Sequence, residues 1–282
     1  VTDAVVWGIG ELGGVLARGL LRAGYRVTPV RRGDDVATLA ARLPRPAVVA
    51  LCVGEADLEE AVGAVPAPWR GALALVQNEL RTSDLRRWGL PDATVCAVWF
   101  EKKRGTDVRV LLPTRVAGPK AERVAAALDA LGISVELRPP AERAQILAEK
   151  NLYILTTNVA GLRVGGDTGT LVHAHRALLD ALADELWEIE ARLAAGAAPD
   201  PGAAAASPDP GVAAAPLDPA AARARLLDAC LADPAHTCRG RVAPDRLRRT
   251  LAHADALGLA SPTLRALAAE VAAPAGAPGV GS

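Results

Sequence analysis

Residues 4–32, AVVWGIGELGGVLARGLLRAGYRVTPVRR, constrain this chain more than any other stretch, because they read as a strand, a tight turn, a helix and a second strand. Ala4 to Trp7 is a short apolar run with two valines, suited to a parallel strand buried on both faces. Gly8, Gly10 and Gly13 follow in the spacing G-x-G-x-x-G, enclosing Ile9, Glu11 and Leu12. In that spacing the first glycine permits a sharp turn, the second leaves room for a pyrophosphate, and the third lets helix and strand pack closely. The anion is expected on the helix N-terminus, where unpaired N–H groups and the helix dipole favour negative charge. Val15, Leu16, Leu20 and Leu21 recur at helical spacing, and Gly24 is placed to stop the helix. An ordinary glycine-rich turn is the alternative reading, but the strand before and the helix and strand after supply the context a dinucleotide-binding turn requires.

The end of the second strand narrows the cofactor. An NAD site usually carries Asp or Glu there, accepting from the ribose 2′-hydroxyl. This chain has Arg31 and Arg32. A guanidinium pairs with a 2′-phosphate through a planar fork of donors, so the expected cofactor is NADP(H). The alternative is a pair of solvated surface arginines.

Composition bounds the rest. With 282 residues there is material for two domains, and Lys plus Arg equals Asp plus Glu at 32 each, so no net field recruits nucleic acid or an anionic membrane. Cys52, Cys96, Cys230 and Cys238 lack C-x-x-C spacing, and His236-Thr-Cys238 stands without a second pair, so reduced thiols and no metal site are expected. No long apolar run or signal-like segment is present, and a soluble, cytoplasmic protein is expected.

Further along, a helix over 34–43, a buried strand over 47–53, a helix over 56–65 and a strand over 72–76 continue the alternation. The last of these runs into Gln77-Asn78, amides at a strand end that can reach a nicotinamide or a substrate. Strand-like runs at 94–100 and 108–112 flank Glu101-Lys-Lys-Arg-Gly105, where Lys102, Lys103 and Arg104 either touch an anion or form a solvated turn. A helix over 119–131, a strand over 133–137 and the Pro139-Pro140 hinge follow. This is the pattern of an α/β, doubly wound, parallel Rossmann sheet, assigned to residues 1–141. Beyond it strand signals stop, and residues 142–282 are expected to be all-α. Helices are predicted over 142–162, 171–193, 223–232, 245–257 and 262–271, with a flexible Ala/Pro/Gly-rich loop at about 195–222 and a disordered tail at the end.

The glycine turn, Arg31, Gln77-Asn78 and the NVAGL…G…L…E run between Lys150 and Glu185 together resemble the ketopantoate reductase (2-dehydropantoate 2-reductase) family of the 6-phosphogluconate dehydrogenase-like superfamily. The resemblance implies NADPH-dependent reduction of a small 2-oxo acid in a cleft between two domains. It implies Lys150 and Asn158 as catalytic residues and Asn78 as a bridge between cofactor and substrate. Ile154 stands where the family has a second helix asparagine, with Thr157 near the same stripe. Pro244 stands at the family's glutamate, one residue before Asp245, a candidate substrate contact; His236 and His253 lie in the same region. His173 and His175 read as capping or surface residues, and Trp99-Phe100 as strand packing. The chain is thus a divergent member by these residues, acting on a 2-oxo acid or a related carbonyl or imine. The alternatives are a β-hydroxyacid dehydrogenase or imine reductase relative, and a non-catalytic NADP(H)-binding sensor or assembly protein. A homodimer is the assembly to test.

Overall fold

The structure, a computed structural model, describes residues 2–196 and 217–272. The predicted tail, and the predicted loop from 197 to 216, lie outside the described residues. The first part of the chain runs β1 (Thr2–Trp7), α1 (Glu11–Arg22), β2 (Tyr25–Val30), α2 (Val36–Arg42), β3 (Val48–Leu51), α3 (Leu58–Gly63), α4 (Ala67–Arg70), β4 (Leu73–Leu75) and α5 (Thr82–Arg87). It continues with β5 (Thr94–Ala97), β6 (Phe100–Glu101), β7 (Arg109–Val110), β8 (Thr114–Ala117), α6 (Ala121–Asp129) and β9 (Val135–Leu137). Helices follow: α7 (Arg143–Val164), α8 (Thr168–Ala174), α9 (Arg176–Ala194), α10 (Pro219–Ala232), α11 (Ala243–Ala256) and α12 (Pro262–Ala272). Two compact units part inside α7, between Lys150 and Asn151.

In the first unit seven strands form one sheet in the order β2-β1-β3-β4-β5-β8-β9. From β2 to β5 every pairing is parallel, because helices supply the crossovers that parallel strands need. The link from β5 to β8 carries the β6–β7 hairpin in place of a crossover helix, and β8 returns antiparallel to β5. Helix α6 restores a parallel pairing between β8 and β9. The expected Rossmann architecture is therefore present, with one antiparallel joint where a fully parallel sheet was predicted. Pro29, which removes a ladder donor, sits on the edge strand β2, where that loss is tolerated.

Strand alternation divides the apolar side chains between two cores. Ala4, Val6, Val48, Ala50, Ala74 and Cys96 face one side, under Val15, Leu16 and Leu20 of α1 and Val124 and Leu128 of α6. Val5, Trp7, Val49, Leu51, Leu75 and Val95 face the other, against Leu58, Val62, Trp69 and Leu85. Both faces are covered, which is why these strands read as continuous apolar runs. Leu21, predicted on the apolar face of α1, is 58% exposed; adjacent helical residues diverge by about 100°, and Leu20 takes the inward position.

The second unit is helical, as expected. The long helix predicted over 171–193 is interrupted at His175, whose backbone (φ −126°, ψ 34°) lies outside the helical range. Helix α10 starts at Pro219, inside the predicted loop, because the Asp218 carboxylate accepts from the N–H groups of Ala220 and Ala221, and proline suits the first helical position. Glu185, last residue of the NVAGL…E run, accepts from the N–H groups of Thr263 (2.7 Å) and Leu264 (3.0 Å) and so caps α12 from α9. Among the described residues no helix is long and apolar enough to cross a membrane.

Gly19 brings α1 against α6: a Cβ there would lie 2.2 Å from the Ala127 carbonyl oxygen. Helix propensity alone makes Gly→Ala stabilising. Gly19→Ala is expected instead to destabilise the protein by about 1–3 kcal/mol through overpacking, read as a lowered Tm; an unchanged or raised Tm would contradict this packing.

Candidate functional site: the carboxyl edge of the sheet

Strand β1 is flanked by β2 and β3, so the chain leaves it once to each side, and the crevice at its carboxyl end is a topological switch point. The glycine turn lies there. The Gly8 N–H donates to the Val30 carbonyl at the end of β2 (2.9 Å), and the Cys52 N–H donates to the Trp7 carbonyl (2.6 Å). Gly8 has φ +92°, and a Cβ on it would meet the Cys52 carbonyl oxygen at 2.8 Å. On Gly13 a Cβ would fall 1.8 Å from the Gly8 carbonyl oxygen. At Gly10 it would meet nothing within 4 Å. Two glycines thus close the turn onto the sheet, and the middle one faces open space. The first N–H groups of α1, from Glu11, Leu12 and Gly13, have no intrahelical acceptor. This cradle suits a diphosphate.

Beside it is a cavity of about 420 Å³, lined by Gly8, Gly10, Arg31, Arg32, Cys52 and Asp57 among others. That volume is in the range of small-molecule sites. Arg31 is exposed, and its N–H donates to the Asp34 carboxylate at 2.8 Å, which shapes the loop after β2. Arg32 is exposed and reaches Asp57 at 3.3 Å. A solvated ion pair of that kind is weak, so the guanidinium exchanges partners at little cost.

Farther along the same edge, Gln77 is buried and uses its amide on the sheet itself: Nε2 donates to the carbonyls of Leu51 (2.7 Å) and Val53 (3.2 Å). It ties β4 to β3. Asn78 is half-buried in the turn that follows, next to Glu79, a non-glycine residue at φ +59°. Backbone of that kind is held at a cost by its surroundings and clusters at functional sites.

Lys150 is 8% exposed, with its ammonium 4.5 Å from the centroid of the Trp99 ring. Trp99 is thus the platform of a cation–π contact as well as strand packing. Trp99 follows β5 by two residues, so the ammonium lies close to the end of that strand. Burial pushes the Cys96 thiol up to about 12, with the Lys150 charge pulling the other way. Burial also raises the Cys52 thiol, with Cys96 adding to the shift. With β1, β3, β4 and β5 parallel, the glycine turn after β1 and the Trp99–Lys150 pair after β5 share the carboxyl edge of one sheet in one compact unit. Arg115 on β8 holds Glu136 (2.7 Å) and Glu149, and thereby fixes the turn of α7 that carries Lys150.

In the second unit Asn158 is 7% exposed, and its Oδ1 accepts from Nη1 of Arg246 at 2.9 Å. The chain at Gly240 presses on the same oxygen: a Cβ there would come within 2.5 Å. Arg246 is 6% exposed and was not anticipated from sequence, since an arginine two residues after Pro244 carries no signal of facing inward. Asp245 is exposed and pairs with Arg248 at 3.3 Å, so the structure does not bring it to Asn158. Thr157 is buried, and its hydroxyl donates to the Tyr153 carbonyl at 2.8 Å, one turn back along α7.

The remaining polar motifs are local. His173 and His175 are exposed. The His236 carbonyl accepts from the Thr168 N–H (2.9 Å), and the Cys238 N–H donates to the Gly166 carbonyl (3.1 Å), so this segment stitches α8 to the chain before α11. All four cysteines are free thiols.

Several solved structures are similar to this chain. A PanE/ApbA family ketopantoate reductase from Ralstonia eutropha JMP134 matches with a TM-score of 0.62 at 19% identity, over 96% of this chain and 97% of that one. D-mandelate dehydrogenase in a ternary structure with NADH and anilino(oxo)acetate matches with 0.60 at 14% identity, over 96% and 97%. A dimeric ketopantoate reductase from Staphylococcus aureus matches with 0.60 at 12% identity, over 96% and 97%. No protein-family model matches the chain, and no curated protein matches it in sequence. At such identities the likeness is one of fold: the chain has the ketopantoate reductase fold, far from these relatives in sequence.

The glycines make opposite demands. Gly13→Ala is expected to lower Tm sharply, whereas Gly10→Ala is expected to leave stability within about 0.5 kcal/mol of the parent. Equal Tm values for the two variants would contradict the turn described here.

Proposed function

We propose that this protein is an NADPH-dependent reductase of a small 2-oxo acid or a related carbonyl or imine. The observation that carries the reading is the shared edge: a glycine cradle shaped for a diphosphate, at the ends of β1 and β3, and a buried lysine, beyond the end of β5, stand at the carboxyl edge of the same sheet. The residues fit a nicotinamide dinucleotide, since a Cβ would obstruct the turn at Gly8 and Gly13 but not at Gly10. The N–H groups opening α1 hold the diphosphate, and Arg31 and Arg32 take the 2′-phosphate. Asn78 orients cofactor or substrate. When bound, the reduced nicotinamide supplies a hydride to the carbonyl carbon. Lys150 acts on the oxygen: its ammonium, held over Trp99, stabilises the developing negative charge and gives up the proton that makes the hydroxyl. In the second unit, Asn158 and Arg246 form a buried amide–guanidinium pair. The similar structures support this reading through their descriptions, which name ketopantoate reductases and a D-mandelate dehydrogenase with NADH. One of them is described as dimeric, and a homodimer is part of the proposal.

A panel of 2-oxo acids, ketones and imines mixed with NADPH tests it. Turnover is expected on a 2-oxo acid, and Lys150→Ala should lower kcat by about 10²–10⁴-fold while the cofactor Kd stays within about twofold. Full activity in that variant would remove Lys150 from the chemistry. Changing Arg31 and Arg32 together to alanine should weaken NADPH by about tenfold or more and NADH little; equal losses would refute the 2′-phosphate role. Tight NADPH binding with no turnover on any substrate would leave a non-catalytic NADP(H)-binding protein.

A further inference from the structure

A second cavity, of about 360 Å³, opens on the other side of the glycine turn, walled by Ile9, Gly10, Glu11, Gly14, Arg18 and Lys102 among others. Its chemistry is unusual for an anion site, because Glu11, the first residue of α1, sets a carboxylate where the diphosphate is proposed to sit. A glutamate there suits the helix dipole but repels a bound anion. Lys102, on the loop between β6 and β7, answers it from 91 residues away: its Nζ lies 3.0 Å from Glu11 Oε2. The same ammonium donates to the Lys103 carbonyl at 2.6 Å, and the side chain is 19% exposed. It is therefore held in place by backbone, unlike a mobile surface lysine. An ammonium has three N–H donors, and these two contacts use two of them. The Lys103 carbonyl also accepts from the Thr106 N–H (3.2 Å) and hydroxyl (3.1 Å), which closes the loop around the anchor point.

We infer that Lys102 is a cofactor-binding residue, directing its remaining donor to the diphosphate of the dinucleotide while it neutralises Glu11. Arg18, about two turns further along the same face of α1, adds a second cation to the same wall. This rests on the dinucleotide reading given above and extends it to a residue of the β6–β7 loop. It also divides the labour of the two basic groups: Arg31 and Arg32 select the 2′-phosphate, and Lys102 serves the diphosphate common to both nicotinamide dinucleotides.

The test is direct binding of NADPH, NADH and adenosine 2′-phosphate to the intact protein and to Lys102→Ala, Lys102→Arg and Glu11→Gln. Lys102→Ala should weaken NADPH and NADH alike, by about tenfold, the worth of one charge-assisted hydrogen bond. Adenosine 2′-phosphate, which lacks the diphosphate, should bind as before, and this arm also reports that the variant is folded. Lys102→Arg should recover most of the loss, and Glu11→Gln should bind both dinucleotides as tightly as the parent or more tightly. Unchanged NADPH affinity in Lys102→Ala would overturn the inference. So would an equal loss in Glu11→Gln, which would reduce the pair to a structural tie. Parent protein that binds neither dinucleotide would fail the cofactor reading first, and this inference with it.

Discussion

The structure turns on the contact between a backbone and itself at Gly8 and Gly13. A side chain on Gly13 would overlap the Gly8 carbonyl, and one on Gly8 would overlap the backbone of Cys52. With both absent, α1 starts directly against the ends of β1 and β3, and its unpaired N–H groups are delivered to the sheet's carboxyl edge. The remaining features of that edge depend on the approach: the cavity toward Arg31, the cavity toward Lys102, and the line of strand ends that leads to Lys150. Widen the turn by one methyl group and the helix must move away.

Much of this was legible from residues. The G-x-G-x-x-G spacing marked three positions that differ sterically in the structure: a positive φ with close contact at Gly8, open space at Gly10, and close contact at Gly13. Apolar runs at β1, β3 and β4 were readable because both faces of a covered parallel sheet are dry. The same logic explains α7, in which Ile146 to Gly161 are buried except for Ile154; a helix apolar nearly all round belongs in a core, and a lysine within it stands out.

What sequence did not reveal lacked a local signal. Helix α5 (Thr82–Arg87) and the four-residue α4 are too short for a hydrophobic period to emerge, and β8 (Thr114–Ala117) follows Pro113 without the apolar run that marked its neighbours. The antiparallel joint between β5 and β8 follows from the missing crossover helix. In the second unit the break at His175 and the early start of α10 are decided by backbone and capping detail. Arg246 was illegible for a different reason. Its inward direction depends on where α11 begins, which places Arg246 on the buried face and Asp245 on the exposed one.

A single edge thus carries a phosphate-shaped cradle, two arginines at one end and a desolvated lysine at the other, and the account stands on a phosphorylated dinucleotide occupying it. Calorimetric titration of the unaltered protein with NADPH and, separately, NADH measures this most directly. One molecule of NADPH per chain, bound at least about tenfold more tightly than NADH, is the result the account requires. Absence of heat with either nucleotide, or equal affinity for both, would contradict it.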